Sequence, residues 1–158
     1  MTDTPEHEAK CQRCGISCHA GLELSDGQQV VLEGLHCIHL GPGNMCQVYE
    51  KRFEVAPWCH HVNQAGPRDM LRHDCPYTGN NPKGKQHFSP GEYANVLPEI
   101  IELLLAKTSV DPHFSYPEFF TRMQTLDPDH TWSLKTNAVG TSSKLFRRKK
   151  NWFQRVLS

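Results

Sequence analysis

No stretch of the sequence reaches the ~18 to 20 consecutive apolar residues that a membrane-crossing helix requires; the richest, Ile100 to Ala106, is interrupted by Glu102. No transmembrane segment is expected among these residues. Net charge is missing too: 17 basic side chains meet 17 acidic ones in 158 residues, which argues against polyelectrolyte attraction to nucleic acid as a property of the whole chain. The first ten residues show no basic start, apolar stretch or small-residue cleavage pattern, so no export signal is expected and the cytoplasm is the expected compartment. There is no glycine-rich phosphate loop, no His-Glu-x-x-His pair, no nucleophile elbow and no kinase signature. Familiar hydrolase and transferase chemistries therefore lack support, and a non-enzymatic role is the better expectation. Apolar residues are also few, at 37%, too lean a share to fill a generous core.

What is plentiful is cysteine. Seven residues of this type all lie between Cys11 and Cys75, and none follows. Their odd number disfavours a disulfide scaffold, and in a reducing cytosol grouped thiols are read as metal ligands or redox groups. Cys11-Gln12-Arg13-Cys14 is a pair with two intervening residues, and Cys14-Gly15-Ile16-Ser17-Cys18 adds a third sulfur one turn on. That spacing lets thiolates reach one ion from a tight turn, with Gly15 allowing the backbone to curl around it. Cys37, Cys46, Cys59 and Cys75 follow at intervals suited to loops converging on a shared centre. A loop-rich region of about 65 residues rarely draws more than roughly 3 to 5 kcal/mol from its core. Structural zinc in thiolate sites contributes an apparent ~10 to 16 kcal/mol, so the apo form is expected to be partly unfolded.

The same residues resemble a known family, the YkgJ-type cysteine-cluster proteins of bacteria, described as a zinc- or iron-chelating domain with a CxxCGxCC signature. The match runs through Cys11, Cys14, Gly15 and Cys18, then Cys37-Ile38-His39-Leu40, then Cys46-Gln47-Val48-Tyr49-Glu50-Lys51-Arg52, and then Cys59. It covers roughly the first half of the chain. It departs at Ser17, where the family has the first cysteine of an adjacent pair, and at Phe53 to Trp58, where the approach to the last cysteine is longer. One usual ligand is absent, with Cys75 as the sulfur that compensates. The resemblance implies metal chelation and supplies no settled reaction.

The metal stays open between zinc and iron. Seven thiolates and one histidine make eight donors, enough for two tetrahedral zinc sites, while four cysteines could hold one iron–sulfur cluster. Cys75-Pro76 is similar to the Cys-Pro that closes bacterial ferredoxin motifs, although the rest of that motif is absent. His19, His36, His39, His60, His61 and His73 lie within two residues of a cysteine, and His60 and His19 are the best candidates for a nitrogen ligand. Glu50 and Arg52 are read either as an ion pair supporting the site or as ordinary surface charges.

Along the chain the expected organisation is an N-terminal extension over 1–10, a cysteine-cluster metal-binding module over 11–78, a loop over 79–88, a helical segment over 89–126, a linker over 127–143 and a basic amphipathic tail over 144–158. Ser89-Pro90-Gly91-Glu92 predicts a helix start, Pro98 a kink or a new helix, and Ser115-Tyr116-Pro117-Glu118 a second start. No acidic residue follows Asp129, so residues 1–143 carry −6 and residues 144–158 carry +6. In a helix the apolar residues of the tail would form a stripe opposite its charges, suited to an anionic membrane surface, RNA or an acidic protein. The expected fold is a small, irregular, α-rich cysteine-rich metal-binding domain with a short helical layer, α+β being the alternative. Its expected function is chelation of zinc or iron in a structural or regulatory site through Cys11, Cys14, Cys18, Cys37, Cys46, Cys59 and Cys75. The alternatives are an iron–sulfur redox or enzyme-accessory protein and an interaction adaptor on a metal scaffold.

Overall fold

The computed structural model describes residues 4–157. Residues 1–3 of the N-terminal extension and Ser158 of the tail lie outside them. The chain divides into two units: residues 1–32 with 36–87, and residues 33–35 with 88–158. The division at His87/Phe88 falls within the 79–88 stretch read as a loop.

The α-rich expectation is overturned. Helices take 36% and strands 23%, with two sheets, so the fold is α+β. In the first unit a short helix α1 (Pro5–Glu8) precedes strand β1 (His19–Glu23), which pairs antiparallel with β2 (Gln29–Cys37) across a turn at Asp26-Gly27. Val30, Val31 and Leu32 are all buried, at 0%, 1% and 2% exposure, so this short apolar run is covered on both faces. Strand β3 (Lys85–Gln86) adds parallel to β2, with Gln29 opposite Lys85. A parallel partner cannot be reached by a hairpin, so the chain must cross over between β2 and β3. That crossover is built from turns and two four-residue helices, α2 (Arg52–Val55) and α3 (Val62–Ala65). The sequence pattern hid the sheet because β1 and β3 are short and only the Val30-Val31-Leu32 run of β2 stands out as apolar among turn formers.

The second unit begins with α4 (Pro90–Ala106), whose Ser89/Glu92 capping box is formed as expected. No new helix starts at Pro98. The helix runs through it, with Ile100 and Leu104 buried at 0% and 1% exposure, so tertiary packing outweighs the lost backbone bond. After a two-residue strand β4 (Phe114–Ser115), α5 (Pro117–Leu126) starts without a side-chain cap and buries Phe119 and Met123. Gly34 has φ +83°, and a Cβ there would stand 2.9 Å from the Phe119 amide nitrogen, so only glycine allows the approach of α5.

The stretch read as linker and the start of the tail form a hairpin: β5 (His130–Thr136) pairs antiparallel with β6 (Ser143–Lys149), in register from His130–Lys149 to Thr136–Ser143. The helix expected in the tail is confined to α6 (Trp152–Val156), capped reciprocally by Asn151 and Gln154. Asp127 anchors the hairpin. Arg147 donates to both of its oxygens at 2.8 and 2.9 Å, Trp132 Nε1 donates at 2.9 Å and His130 Nδ1 lies 3.0 Å away. The Arg147 hydrogen bond, aided by Trp132, holds this carboxyl down to about 2 against the cost of burial. Its stabilisation, about 2 to 3 kcal/mol, is fully present above the ordinary carboxyl range and is lost as pH falls from about 4 toward 2. Asp127→Asn should therefore destabilise the second unit by that amount at pH 7 and remove most of the wild-type difference at pH 2, read by thermal denaturation followed on the near-ultraviolet signal of Trp132.

Candidate metal centre

All seven cysteines are free, and all belong to the first unit. Cys11 is exposed and the other six are half-buried. The knuckle is shaped by backbone. Arg13 has φ 51° and Gly15 φ 73°, and the Arg13 amide donates to Cys11 Sγ at 3.4 Å. A Cβ on Gly15 would meet Asn44 Oδ1 at 2.7 Å, so glycine is required for space as well as for φ. A 3-10 turn over Ile16–Cys18 follows, anchored by Ile16 at 1% exposure and closed by the Cys18 amide donating to the Gly15 carbonyl at 3.0 Å.

The later sulfurs come from separate turns. Cys37 ends β2 and accepts from Trp58 Nε1 at 3.5 Å. Cys46 is bridged antiparallel to Leu40. Cys59 closes the turn after α2, its amide donating to the Ala56 carbonyl at 2.8 Å. Cys75 sits in a turn whose carbonyl accepts from the Thr78 and Gly79 amides.

Electrostatics sorts the sulfurs into two neighbourhoods. Burial pushes the Cys18 thiol up to about 11; the Ser17 side chain, hydrogen-bonded to it, pulls the other way, and Cys37, Cys59 and Cys46 add repulsion. Burial also raises Cys59, opposed by the Arg52 guanidinium and reinforced by Cys46 and Cys37. Burial raises Cys75 as well, with Cys14 and Cys11 among the charges that reinforce it and Arg72 among those that oppose it. Cys18 thus feels Cys37, Cys46 and Cys59, Cys59 feels Cys37 and Cys46, and Cys75 feels Cys11 and Cys14. A cavity of about 420 Å³ in this unit is lined by Cys11, Cys14, Cys18, Cys46 and Cys75. Among the described residues, no three His, Cys, Asp or Glu side chains converge closely enough to hold an ion as they stand.

The histidines divide differently from the expectation. His19 Nδ1 lies 2.8 Å from the Gly15 carbonyl, and the His60 ring accepts from Arg68 Nη1 at 3.1 Å. Both are engaged. His39 stacks on Trp58 and His61 on Phe53, and the His36 ring lies 5.6 Å from that of His19. His73 Nδ1 is buried without a hydrogen-bond partner among the described residues, 3.9 Å from Asp74 Oδ1. Arg52 packs its guanidinium over the Tyr49 ring at 3.9 Å and donates to the Tyr49 carbonyl at 2.7 Å, so it stiffens the turn after Cys46.

Lys85 is a participant that the sequence did not announce. It is 6% exposed, and its ammonium donates to the His19 carbonyl at 2.6 Å and the Ile16 carbonyl at 3.4 Å, clasping the turn that carries Cys18. Burial lowers it to about 8, with Cys18 pulling the other way. Arg72, bridged to Lys85 through the backbone, donates to Gln12 Oε1 at 2.6 Å and pairs with Asp74, tying the knuckle to the Cys75 turn. Comparison with family models, with curated proteins and with solved structures returns no match in any of the three.

Lys85→Met keeps the aliphatic stem but strands two carbonyls, which should cost roughly 1 to 3 kcal/mol. Urea denaturation checks this; unchanged stability would show that the clasp contributes nothing.

Proposed function

We propose that the chain chelates zinc or iron through its cysteines, in a structural or regulatory site of the YkgJ type. The observation that carries this reading is the neighbourhood of Cys18, a partly buried thiol that burial pushes up and that Cys37, Cys59 and Cys46 push further, with Cys46 and Cys37 acting on Cys59 in the same sense. Thiolates in such company repel, and the repulsion serves no packing purpose. A divalent cation reverses it, since a coordinated thiol is deprotonated outright. The donor set fits: soft thiolates suit zinc and iron–sulfur clusters, and four of them complete a closed site. Cys18, Cys37, Cys46 and Cys59 would form that set, with Cys11, Cys14 and Cys75 as further ligands. Small turn movements would bring the sulfurs together, because Cys46, Cys59 and Cys75 sit on turns, Cys18 ends a 3-10 turn and Cys37 is the last residue of β2. A reducing compartment such as the cytoplasm would keep all seven thiols available.

The four-sulfur set also suits an iron–sulfur cluster, which makes a redox or accessory role the second reading. Protein purified without oxygen should contain stoichiometric metal by elemental analysis. Absence of colour with zinc present favours the chelating reading, and brown protein absorbing near ~400 nm the cluster. Cys18→Ser should lower metal content and melting temperature together, and Cys14→Ser should do so to a smaller degree. Metal-free protein as stable as the metal-loaded form would remove the proposal.

A further inference from the structure

The segment after β6 ends in an apolar face that the second unit does not cover. Trp152, Phe153, Val156 and Leu157 are 68%, 69%, 62% and 86% exposed. Positions 152, 153, 156 and 157 share one side of a helical turn, while Gln154 and Arg155 take the other. Four large apolar side chains so placed contrast with Trp132 and Leu145 of the same unit, which are buried at 5% and 3%. The capping box of Asn151 and Gln154 shapes this turn without any help from packing. Trp152 and Phe153 lie edge to face, with ring centroids 5.1 Å apart, which holds the two rings as one wedge.

Charge says what covers the wedge. Lys144, Arg148, Lys149 and Arg155 are exposed, Lys150 is half-buried, and no acidic residue lies in 144–157. Arg147 is committed to a carboxylate of its own unit. A positive segment directly beside an aromatic and aliphatic wedge matches the boundary of a bilayer, where phosphates face the headgroup layer and acyl chains begin a few ångströms deeper. RNA would use the aromatic rings for stacking but has no use for Val156 and Leu157.

We propose that residues 144–157 dock the protein on an anionic phospholipid surface, with Trp152, Phe153, Val156 and Leu157 entering the headgroup boundary and the neighbouring lysines and arginines meeting lipid phosphates. Docking is peripheral and reversible, since no helix among the described residues is long and apolar enough to cross a membrane. It is independent of metal in the first unit.

The full chain is tested by co-flotation with vesicles of phosphatidylcholine containing phosphatidylglycerol, beside vesicles of phosphatidylcholine alone. Binding should require the anionic lipid and weaken on raising the salt. Trp152→Ser with Phe153→Ser should reduce partitioning at least ten-fold. Lys144→Gln, Arg148→Gln and Lys149→Gln together should reduce it about a hundred-fold, near five-fold per charge. Because the replaced side chains are exposed, circular dichroism and melting temperature should match wild type, which separates lost docking from misfolding. Two results would overturn the proposal: flotation that survives both variants; or no flotation of wild type with anionic vesicles, in which case variant-sensitive retention of a single-stranded RNA oligonucleotide, or a dimer that the Trp152/Phe153 variant dissociates, would name the true occupant.

Discussion

A buried ammonium bonded to two carbonyls is the tie on which the cysteine-bearing unit depends. Lys85 reaches from β3 to Ile16 and His19 and joins the end of the crossover to the turn that leads into β1. Removing a charge from water is costly unless it is fully met by partners, so this ammonium stays in place only while the turn over Ile16–Cys18 keeps its shape. The turn, in turn, is fixed by Gly15 against Asn44 and by Ile16 in the core. The parallel pairing of β2 with β3 then forces the intervening chain to return past the knuckle, bringing Cys37, Cys46, Cys59 and Cys75 into the same unit as Cys11, Cys14 and Cys18.

Such an arrangement leaves little for hydrophobic packing to do around the sulfurs. Many of the buried residues of this unit lie on or beside the sheet, in Leu22, Leu24, Val30, Val31 and Leu32, whereas the cysteines other than Cys37 lie on turns outside it. Hydrophobic burial sets the sheet, and hydrogen bonds from backbone and basic side chains set the loops. A cation shared among thiolates would supply the cohesion that apolar contacts do not, which is why the metal-chelating reading is also a reading of how the unit stays folded.

Much of the candidate site was legible in the spacing of residues: the knuckle at Cys11 and Cys14, the glycine that must curl, and the confinement of every sulfur to the first unit follow from local chemistry. Lys85 was not legible, because its partners lie 66 and 69 positions away and a lysine between Gly84 and Gln86 reads as surface. The Ser89/Glu92 cap was readable for the same local reason, while continuity through Pro98 was decided by the burial of Ile100 and Leu104. The hairpin of β5 and β6 was misread as linker and helix. Its alternation, with Leu145 buried between exposed Lys144 and Phe146, is brief, and its anchor at Asp127 joins residues 20 apart.

Ser17 carries a consequence of its own. Its side chain is hydrogen-bonded to the Cys18 thiol, so an alcohol and not a second sulfur stands directly beside it in the chain. An alcohol cannot form a vicinal disulfide, so under peroxide a Cys18 sulfenic acid must meet a thiol further along the chain or stay open to further oxidation. An oxygen in place of a neighbouring sulfur leaves this corner of the molecule without the shortest route to oxidative self-locking.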